Sequence, residues 1–433
     1  MKGDSTEATN IRHSSALIQG LTGRVRGLLK EPIFTSALNL MTNGGITAVL
    51  GFLFIMVITQ IFPPSDVGLY SAIISAAGLL ALFSRFGFDI GLIRFLPSSK
   101  DPNDFVGTCQ STALVGSLAL SAIFLAGLPI WAPSLSFITD DLAFMIIFIA
   151  ITMTTSVLYI QHNYYIVMRL TRQLIVRDVL RDVIKITSVI LLAPLGLCGI
   201  MGASVTALIA SFLLANMFLR RTVPAYRPRL SIRRDLARSL AKYSANNYVA
   251  GMIGSAPYLI MPVLVVNLQG AEQGAYFFVA WSVAMVIFIA IDAISTSFFA
   301  AGSRSTEEMK QIALRSMKIA YLILAPILVI ILLFAPDLLA LFGEGYSENS
   351  SNLLMLLSIC TIPMAFNDLY ANSKRINNEM RPLILYNLAI AVGTLGLGTL
   401  LMSQMGIIGV GIGFLLTEIF LTLVISRRWR PWS

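Results

Sequence analysis

The chain has 433 residues, of which 56% are hydrophobic and only 12% charged, with a mean hydropathy of +0.80. A soluble domain carries roughly 25% charged residues, so this composition excludes a water-soluble particle of this size. The net charge of +9 is accounted for below by where the basic residues fall along the chain, and is not read as a nucleic-acid surface.

Residues 1–33 are polar and basic, with no short apolar region ending at a cleavage site, so no signal peptide is expected. Leu17, Leu21, Val25 and Leu28 recur at helical spacing, with Arg24, Arg26 and Lys30 on other faces. That pattern predicts a helix lying on the inner membrane surface, with a disordered tail as the alternative. Apolar runs long enough to cross a bilayer, about 20 residues each, then follow one another. They predict spans near 34–60, 67–93, 109–131, 142–161, 176–197, 200–219, 243–266, 275–300, 317–336, 353–372, 383–402 and 406–426.

The 31 Lys and Arg residues decide the orientation. All but Arg85 and Lys185 fall in the two termini and in alternate connections, around 94–100, 169–181, 220–242, 304–318 and 374–381. The connections on the other side hold none. Basic residues beside span ends favour the cytoplasmic side, and a missed or extra span would swap sides for everything after it. The reading is therefore twelve spans, with both termini cytoplasmic.

Several polar residues sit inside or at the ends of spans, where charge is costly and usually faces an interior cavity. Span 1 carries Asn39 and Asn43, and span 7 carries Asn246 and Asn247 at matching positions. These amides either line a cavity entrance or bond between helices. Span 2 ends SRFGFDIGLIRF, with Arg85, Asp89 and Arg94. Arg85 and Asp89 are spaced to pair, or Arg85 snorkels to the surface. On span 5, Arg177, Arg181 and Lys185 recur every four residues and form one stripe. That stripe reads either as a cationic ladder for an anionic head group or as local pairing, since Asp178 and Asp182 lie three residues before Arg181 and Lys185. Span 7 holds Pro257 and Pro262, which predict a kink, either a bending point or a static one. Asp292, Asp368 and Glu418 are candidate groups for taking up a proton or sodium ion; Glu418 reads equally as a protonated packing residue.

Cys109, Cys198 and Cys360 lie far apart within apolar stretches, and His13 and His162 are the only histidines. Neither set has metal-ligand spacing. No span pairs a nucleophile with a base, and there is no glycine loop for a nucleotide. An enzyme, a metal and a cofactor are not expected.

The halves repeat at a shift of about 206 residues. Gly68-Leu69-Tyr70 matches Gly274-Ala275-Tyr276. Tyr164 and Arg169 match Tyr370 and Arg375, and Gly199 with Gly202 matches Gly406 with Gly409. An even number of spans separates the copies, so the repeat is parallel. This gives an all-α integral membrane protein of two six-helix lobes. Its parts are a cytoplasmic segment 1–33, an N-lobe 34–219, a basic linker 220–242, a C-lobe 243–426 and a tail 427–433.

Phe62-Pro-Pro-Ser-Asp-Val-Gly-Leu-Tyr70, Gly87-Phe-Asp-Ile-Gly-Leu-Ile-Arg94-Phe and Leu339-Ala-Leu-Phe-Gly-Glu-Gly-Tyr346 carry a further signal. With Asn372 to Pro382 and Met405 to Gly411, they stand in an order that resembles the polysaccharide-type branch of the MOP superfamily. These are the Wzx-type flippases, relatives of the MATE exporters. The resemblance implies a V of two lobes with spans 1, 2, 7 and 8 around a central cavity. It also implies a lipid-linked oligosaccharide as cargo, for surface polysaccharide such as O-antigen or lipopolysaccharide. Arg94 is carried over from the family pattern, and a cationic cavity wall brings in Arg85. Membrane lipids, a glycan polymerase or glycosyltransferases are the implied partners, and nucleic acid is not. A MATE-like exporter of small solutes, coupled to a proton or sodium ion, and a membrane enzyme of glycan assembly are the alternatives.

Overall fold

A computed structural model describes residues 32–223, 225–227, 230–303 and 309–429. The surface helix expected from Leu17 to Leu28 lies outside these residues. Among the described residues the chain is helical, without a strand. Lipid offers no partner for backbone N–H and C=O groups, so a helix, which bonds them internally, is what an apolar run of this length must form.

The first lobe holds α1 (Pro32–Ile61), α2 (Pro64–Ser84), α3 (Phe88–Phe95), α4 (Pro102–Ala126), α5 (Leu142–Val167), α6 (Thr171–Leu191) and α7 (Leu197–Thr222). The second holds α8 (Arg234–Gln269), α9 (Ala271–Gly302), α10 (Met309–Ala340), α11 (Glu344–Ile376), α12 (Met380–Met405) and α13 (Ile407–Arg428). Eleven helices or helix segments are long and apolar enough to cross a membrane. The twelfth expected span is α6, which at 21 residues is as long as α2. It differs in carrying Arg172, Arg177, Asp178, Arg181, Asp182 and Lys185. The parallel repeat shows in the backbone as well as in the sequence. Gly196 and Gly406, at φ 57° and 63°, open α7 and α13, while Arg169 and Asn378, both at φ 56°, follow α5 and α11. The backbone thus pairs Gly196 with Gly406 and Arg169 with Asn378, where the sequence motifs match Gly199 with Gly406 and Arg169 with Arg375.

Span 2, expected as one helix, is two. Phe86 at φ 48° and Gly87 at φ 76° break it between α2 and α3. The break faces the other lobe: a Cβ on Gly87 would lie 2.8 Å from the Cβ of Ser244 and 2.9 Å from that of Tyr248 on α8. Glycine is therefore required twice over, for its φ and for the close approach. Gly87→Ala is expected to cost about 1–3 kcal/mol, read as a lower unfolding temperature in detergent. A variant as stable as the parent would show that the seam yields at no cost. The prolines of span 7 do not divide it into two helices. Pro257 and Pro262 sit inside a single helix, α8, whereas α10 departs from helical geometry at Phe334 (φ −119°, ψ 16°), just before Pro336.

Two ends of the bundle need distinguishing: the basic end, which bears the arginine-rich connections, and the far end. At the far end the lobes meet closely. Gly68 on α2 abuts the backbone of Ala271 and Ala275 and lies against Gly274 on α9, so glycines related by the repeat face each other across the interface. Nearby, the Ser134 backbone N–H donates to Asn267 Oδ1 (3.0 Å), Gln60 Nε2 donates to the Leu341 carbonyl (3.1 Å), and Phe52 meets Phe342 edge-on at 4.9 Å. At the basic end only the seam between α2–α3 and α8 is shut. There the Tyr248 hydroxyl donates to the Phe83 carbonyl (2.7 Å), and Phe95 packs on Tyr243 at 4.8 Å. On the other side of that end, Met41, Gly44 and Gly45 of α1 and Asp292 and Thr296 of α9 are exposed. These stretches of α1 and α9 are left uncovered by the rest of the described chain.

The stretch between Thr222 and Arg234 is strapped to the first lobe. Asn103 Nδ2 donates to the Ala225 carbonyl (2.7 Å), and the Arg227 N–H donates to Asn103 Oδ1 (2.8 Å). The Ser231 N–H donates to Ser111 Oγ (3.1 Å). Tyr226 is buried against Tyr164, 5.3 Å between ring centroids, and burial pushes its hydroxyl pKa up.

Candidate functional site

The first lobe presents a polar wall built on α6. Its sequence alternates charge within an apolar helix, so each ionised group entering the lobe needs a partner nearby. Asp178, buried, supplies most of them. It accepts from Arg177 Nε (2.9 Å) and Nη2 (2.6 Å), from Arg181 Nη1 (3.4 Å) and from Asn43 Nδ2 of α1 (2.8 Å). Asp182 takes Arg181 through Nε (2.8 Å) and Nη2 (3.0 Å). Asn39 Nδ2 donates to Thr171 Oγ1 (2.9 Å), a second clasp between α1 and α6. The asparagines of span 1 thus hold the lobe together rather than reaching across to the second lobe.

Two of the three rungs of the α6 stripe are ion-paired, and the third is not. Lys185 makes no ion pair among the described residues. Its Nζ lies over the Phe54 ring of α1 at 3.7 Å and 5.6 Å from the centroid of Tyr70. The local pair with Asp182 that the spacing suggested does not form, because both Asp182 oxygens are taken by Arg181. Cation–π contact accommodates an ammonium in an apolar setting without supplying an opposite charge, so no carboxylate among the described residues balances Lys185.

Arg85 sits at the break in span 2, buried, with Nη1 on Asp89 Oδ2 (2.8 Å), Nε on the Ala81 carbonyl (3.2 Å) and its guanidinium 4.1 Å over the Tyr159 ring of α5. The pairing expected from the four-residue spacing is present. Arg94 is exposed at the end of α3, well apart from these groups along the chain. Asn247 lies on α8, with its side chain outside the described residues.

A cavity of about 540 Å³ opens within this wall, lined by Asn43, Tyr159, His162, Arg177, Asp178 and Arg181 over a floor that includes Leu40, Leu158 and Leu208. Tyr159 and His162 were not singled out from the sequence. Their signal is a stripe, Thr155, Tyr159, His162 and Ile166, recurring every three or four residues along one face of α5.

The second lobe presents carboxyls instead. Glu418 on α13 is buried and accepts from Asn367 Nδ2 (2.7 Å), while Asn367 Oδ1 accepts from Thr422 Oγ1 (3.0 Å). Asp368, half-buried, is the next residue along α11, and Asp292 is exposed on α9. All three lie within electrostatic reach of Tyr258 on α8. Among the described residues no three carboxyl, histidine or cysteine groups converge to ligate a metal. The first lobe thus carries guanidinium, ammonium and aromatic groups, and the second carries the exposed Asp292, the half-buried Asp368 and the buried Glu418.

The sequence profile described as Polysaccharide biosynthesis protein matches residues 33–301, and that described as MatE matches residues 249–400. No curated protein sequence matches the chain. Among solved structures it is similar to the lipid II flippase MurJ in an inward closed conformation, with a TM-score of 0.71 at 11% identity, over 89% of this chain and 86% of that one. It is also similar to an inward-facing multidrug resistance MATE family transporter of the MOP superfamily, with a TM-score of 0.62 at 17% identity, over 90% and 96% of the two chains. A MOP superfamily transporter from Pyrococcus furiosus, described as having a binding pocket of reverse polarity, gives a TM-score of 0.58 at 16% identity, over 92% and 95%. At these identities the likeness is one of fold.

Proposed function

The chain belongs to the polysaccharide biosynthesis protein family, and from that premise we propose that it is a flippase carrying a lipid-linked oligosaccharide across the cytoplasmic membrane by alternating access. The observation that carries this reading is the polar cluster set within the spans of the first lobe, Arg85 with Asp89 and the α6 stripe with its cavity, beside faces of α1 and α9 left uncovered at the basic end. Sugars and phosphate cannot cross about 30 Å of hydrocarbon unaided. A cleft with an open side seam shelters the head group while the isoprenoid tail stays among lipids. The fold shared with a lipid II flippase supports a lipid-borne cargo.

The basic end, by its arginines and lysines, is the cytoplasmic end, so the cargo loads there. Arg94, exposed at that end, makes the first contact with the anionic head group, and Arg85 beside the seam the next. Lys185, without a carboxylate partner among the described residues, marks the deeper station. On the second lobe, Asp292, Asp368 and Glu418 take up a proton or sodium ion during the return. The carrier is not an enzyme, since the head group leaves with the bonds it entered with.

The test is reconstitution into vesicles with a lipid-linked oligosaccharide, following the exposure of its sugars to an externally added glycan-modifying reagent. Lys185→Ala is expected to slow exposure by about tenfold or more, the scale of one lost charge-assisted contact, with Lys185→Arg retaining most of the rate. Unchanged transport in Lys185→Ala removes that residue from the path. The carboxyls of the second lobe favour a second reading, a MATE-like exporter of small solutes. Export of small cations with no exposure of sugar would establish it in place of the flippase.

A further inference from the structure

The cavity in the first lobe contains two buried polar atoms that nothing among the described residues satisfies. Arg177 Nη1 has no hydrogen-bond partner there, and neither has Asn43 Oδ1. Arg177 is only 2% exposed and Asn43 6%, and both line the cavity. The remaining polar atoms of both side chains are committed to Asp178: Arg177 through Nε and Nη2, Asn43 through Nδ2. That commitment also fixes which way the Asn43 amide points, since the carboxylate requires the donor side. Buried polar groups without partners are rare and costly, and two at one cavity are an unmet requirement with a definite chemistry.

One of the two atoms only donates and the other only accepts. A phosphate oxygen answers Arg177 Nη1 but leaves Asn43 Oδ1 facing another acceptor. A hydroxyl or an acetamido group answers both, because each has a donor and an acceptor. Charge points the same way. Arg177 and Arg181 are matched by Asp178 and Asp182, so the wall of the cavity has no net pull on an anion, and an added anion would meet Asp178. The rest of the lining suits the carbon face of a sugar ring: Tyr159, 50% exposed, stands at the cavity with Leu40, Leu158 and Leu208 beside it.

We infer that this cavity is a sugar subsite, which takes a neutral hexose or N-acetylhexosamine of the head group between Arg177 and Asn43, with the ring against Tyr159. The inference rests on the flippase reading and deepens it. The anion is held by charges elsewhere in the cleft, and the first lobe tests for the sugar. Glycosylated lipid is thereby distinguished from the bare carrier, so that an unloaded carrier is not moved.

The experiment compares the affinity of the full chain in lipid nanodiscs for two probes, polyprenyl pyrophosphate and the same lipid bearing one N-acetylhexosamine. The parent protein is expected to prefer the sugar-bearing probe by about tenfold or more. Asn43→Leu and Tyr159→Leu are each expected to bring that preference below about twofold; because Arg85 rests on Tyr159, the readout is the ratio of the two affinities within each variant. Should Asn43→Leu fail to fold, Tyr159→Leu, changed at a half-exposed position, decides alone. Equal affinity of the parent for both lipids overturns the subsite and leaves the flippase reading standing, as does a preference that survives Tyr159→Leu. Binding of neither lipid overturns both.

Discussion

Asp178→Ala is expected to destabilise the protein by about 3–5 kcal/mol, the cost of removing one partner from a buried charge network. One carboxylate of 3% exposure accepts from two guanidiniums and one amide. Without it, Arg177 remains almost fully buried with its nearest countercharge gone. The four-residue network of Arg177, Asp178, Arg181 and Asp182 passes from neutral to a charge of +1. Asn43 also loses one of the two described side-chain hydrogen bonds that tie α1 to α6. Unfolding of the purified protein in detergent measures the effect, with Asp337→Ala as the control. Asp337 is exposed and forms no ion pair among the described residues, so its loss is expected to stay within about 0.5 kcal/mol. If the two variants unfold alike, Asp178 does not organise the lobe. Asp178→Asn, which keeps an acceptor oxygen but no charge, is expected to fall between them.

The second large effect is on the balance between states. Gly68→Ala places a methyl group where the Ala271 carbonyl oxygen now lies. No side chain is available to move aside, because the obstruction is backbone, so the far end cannot close as it does here. Overpacking of this kind costs about 1–3 kcal/mol, and it falls on the closed arrangement alone. The ratio of far-end-closed to far-end-open molecules then drops by about 5- to 150-fold. Spin labels at Ile130 and Leu268, both exposed beside the far-end contacts, report the separation, with half-buried Cys198 replaced by Ser. A longer distance in Gly68→Ala is expected, and an unchanged distance distribution sinks the assignment of Gly68 as the contact point. Gly274→Ala tests the related position. There a Cβ meets Val266 Cγ2 of its own lobe, while Gly68 Cα across the interface stands off at 3.6 Å, and the effect on the far-end distance is expected to be smaller.

How much of this was legible in the sequence depended on how far apart the interacting residues are. Spans follow from the length of an apolar run, and the pairing of lobes from a repeat that survives in short glycine motifs. Arg85–Asp89 is a four-residue spacing on one helix and was read correctly. The α6 network was half-read. Spacing indicated Asp178–Arg181, which forms at 3.4 Å, and Asp182–Lys185, which does not. The pairs Arg177–Asp178 and Arg181–Asp182 join adjacent residues, which helical geometry alone would not bring together. They form because a long guanidinium can curl back and because a buried carboxylate must be met. Arg181 takes both oxygens of the partner expected for Lys185, and the ammonium meets Phe54 of a different helix instead. Asn43 likewise meets Asp178 from 135 residues away. The break in span 2 was hidden because SRFGFDIG has only one glycine in position to show it, and its reason is Ser244 and Tyr248 on the other lobe.

The strap between Thr222 and Arg234 bears on how the molecule divides. By chain order the natural place to cut it in two is after the sixth span, at Thr222. Yet Ala225, Tyr226, Arg227 and Ser231 are fastened to the first lobe, so the mechanical border falls at about Arg233. Halves separated at Thr222 would leave Tyr226 on the wrong fragment, as a plug that must find its socket from another molecule. Halves separated at Arg233 would each keep their own surface intact. The intact chain moves as a first lobe with its strap and a second lobe that begins at the first turn of α8, and any swing between them is set by a much shorter tether than the sequence suggests.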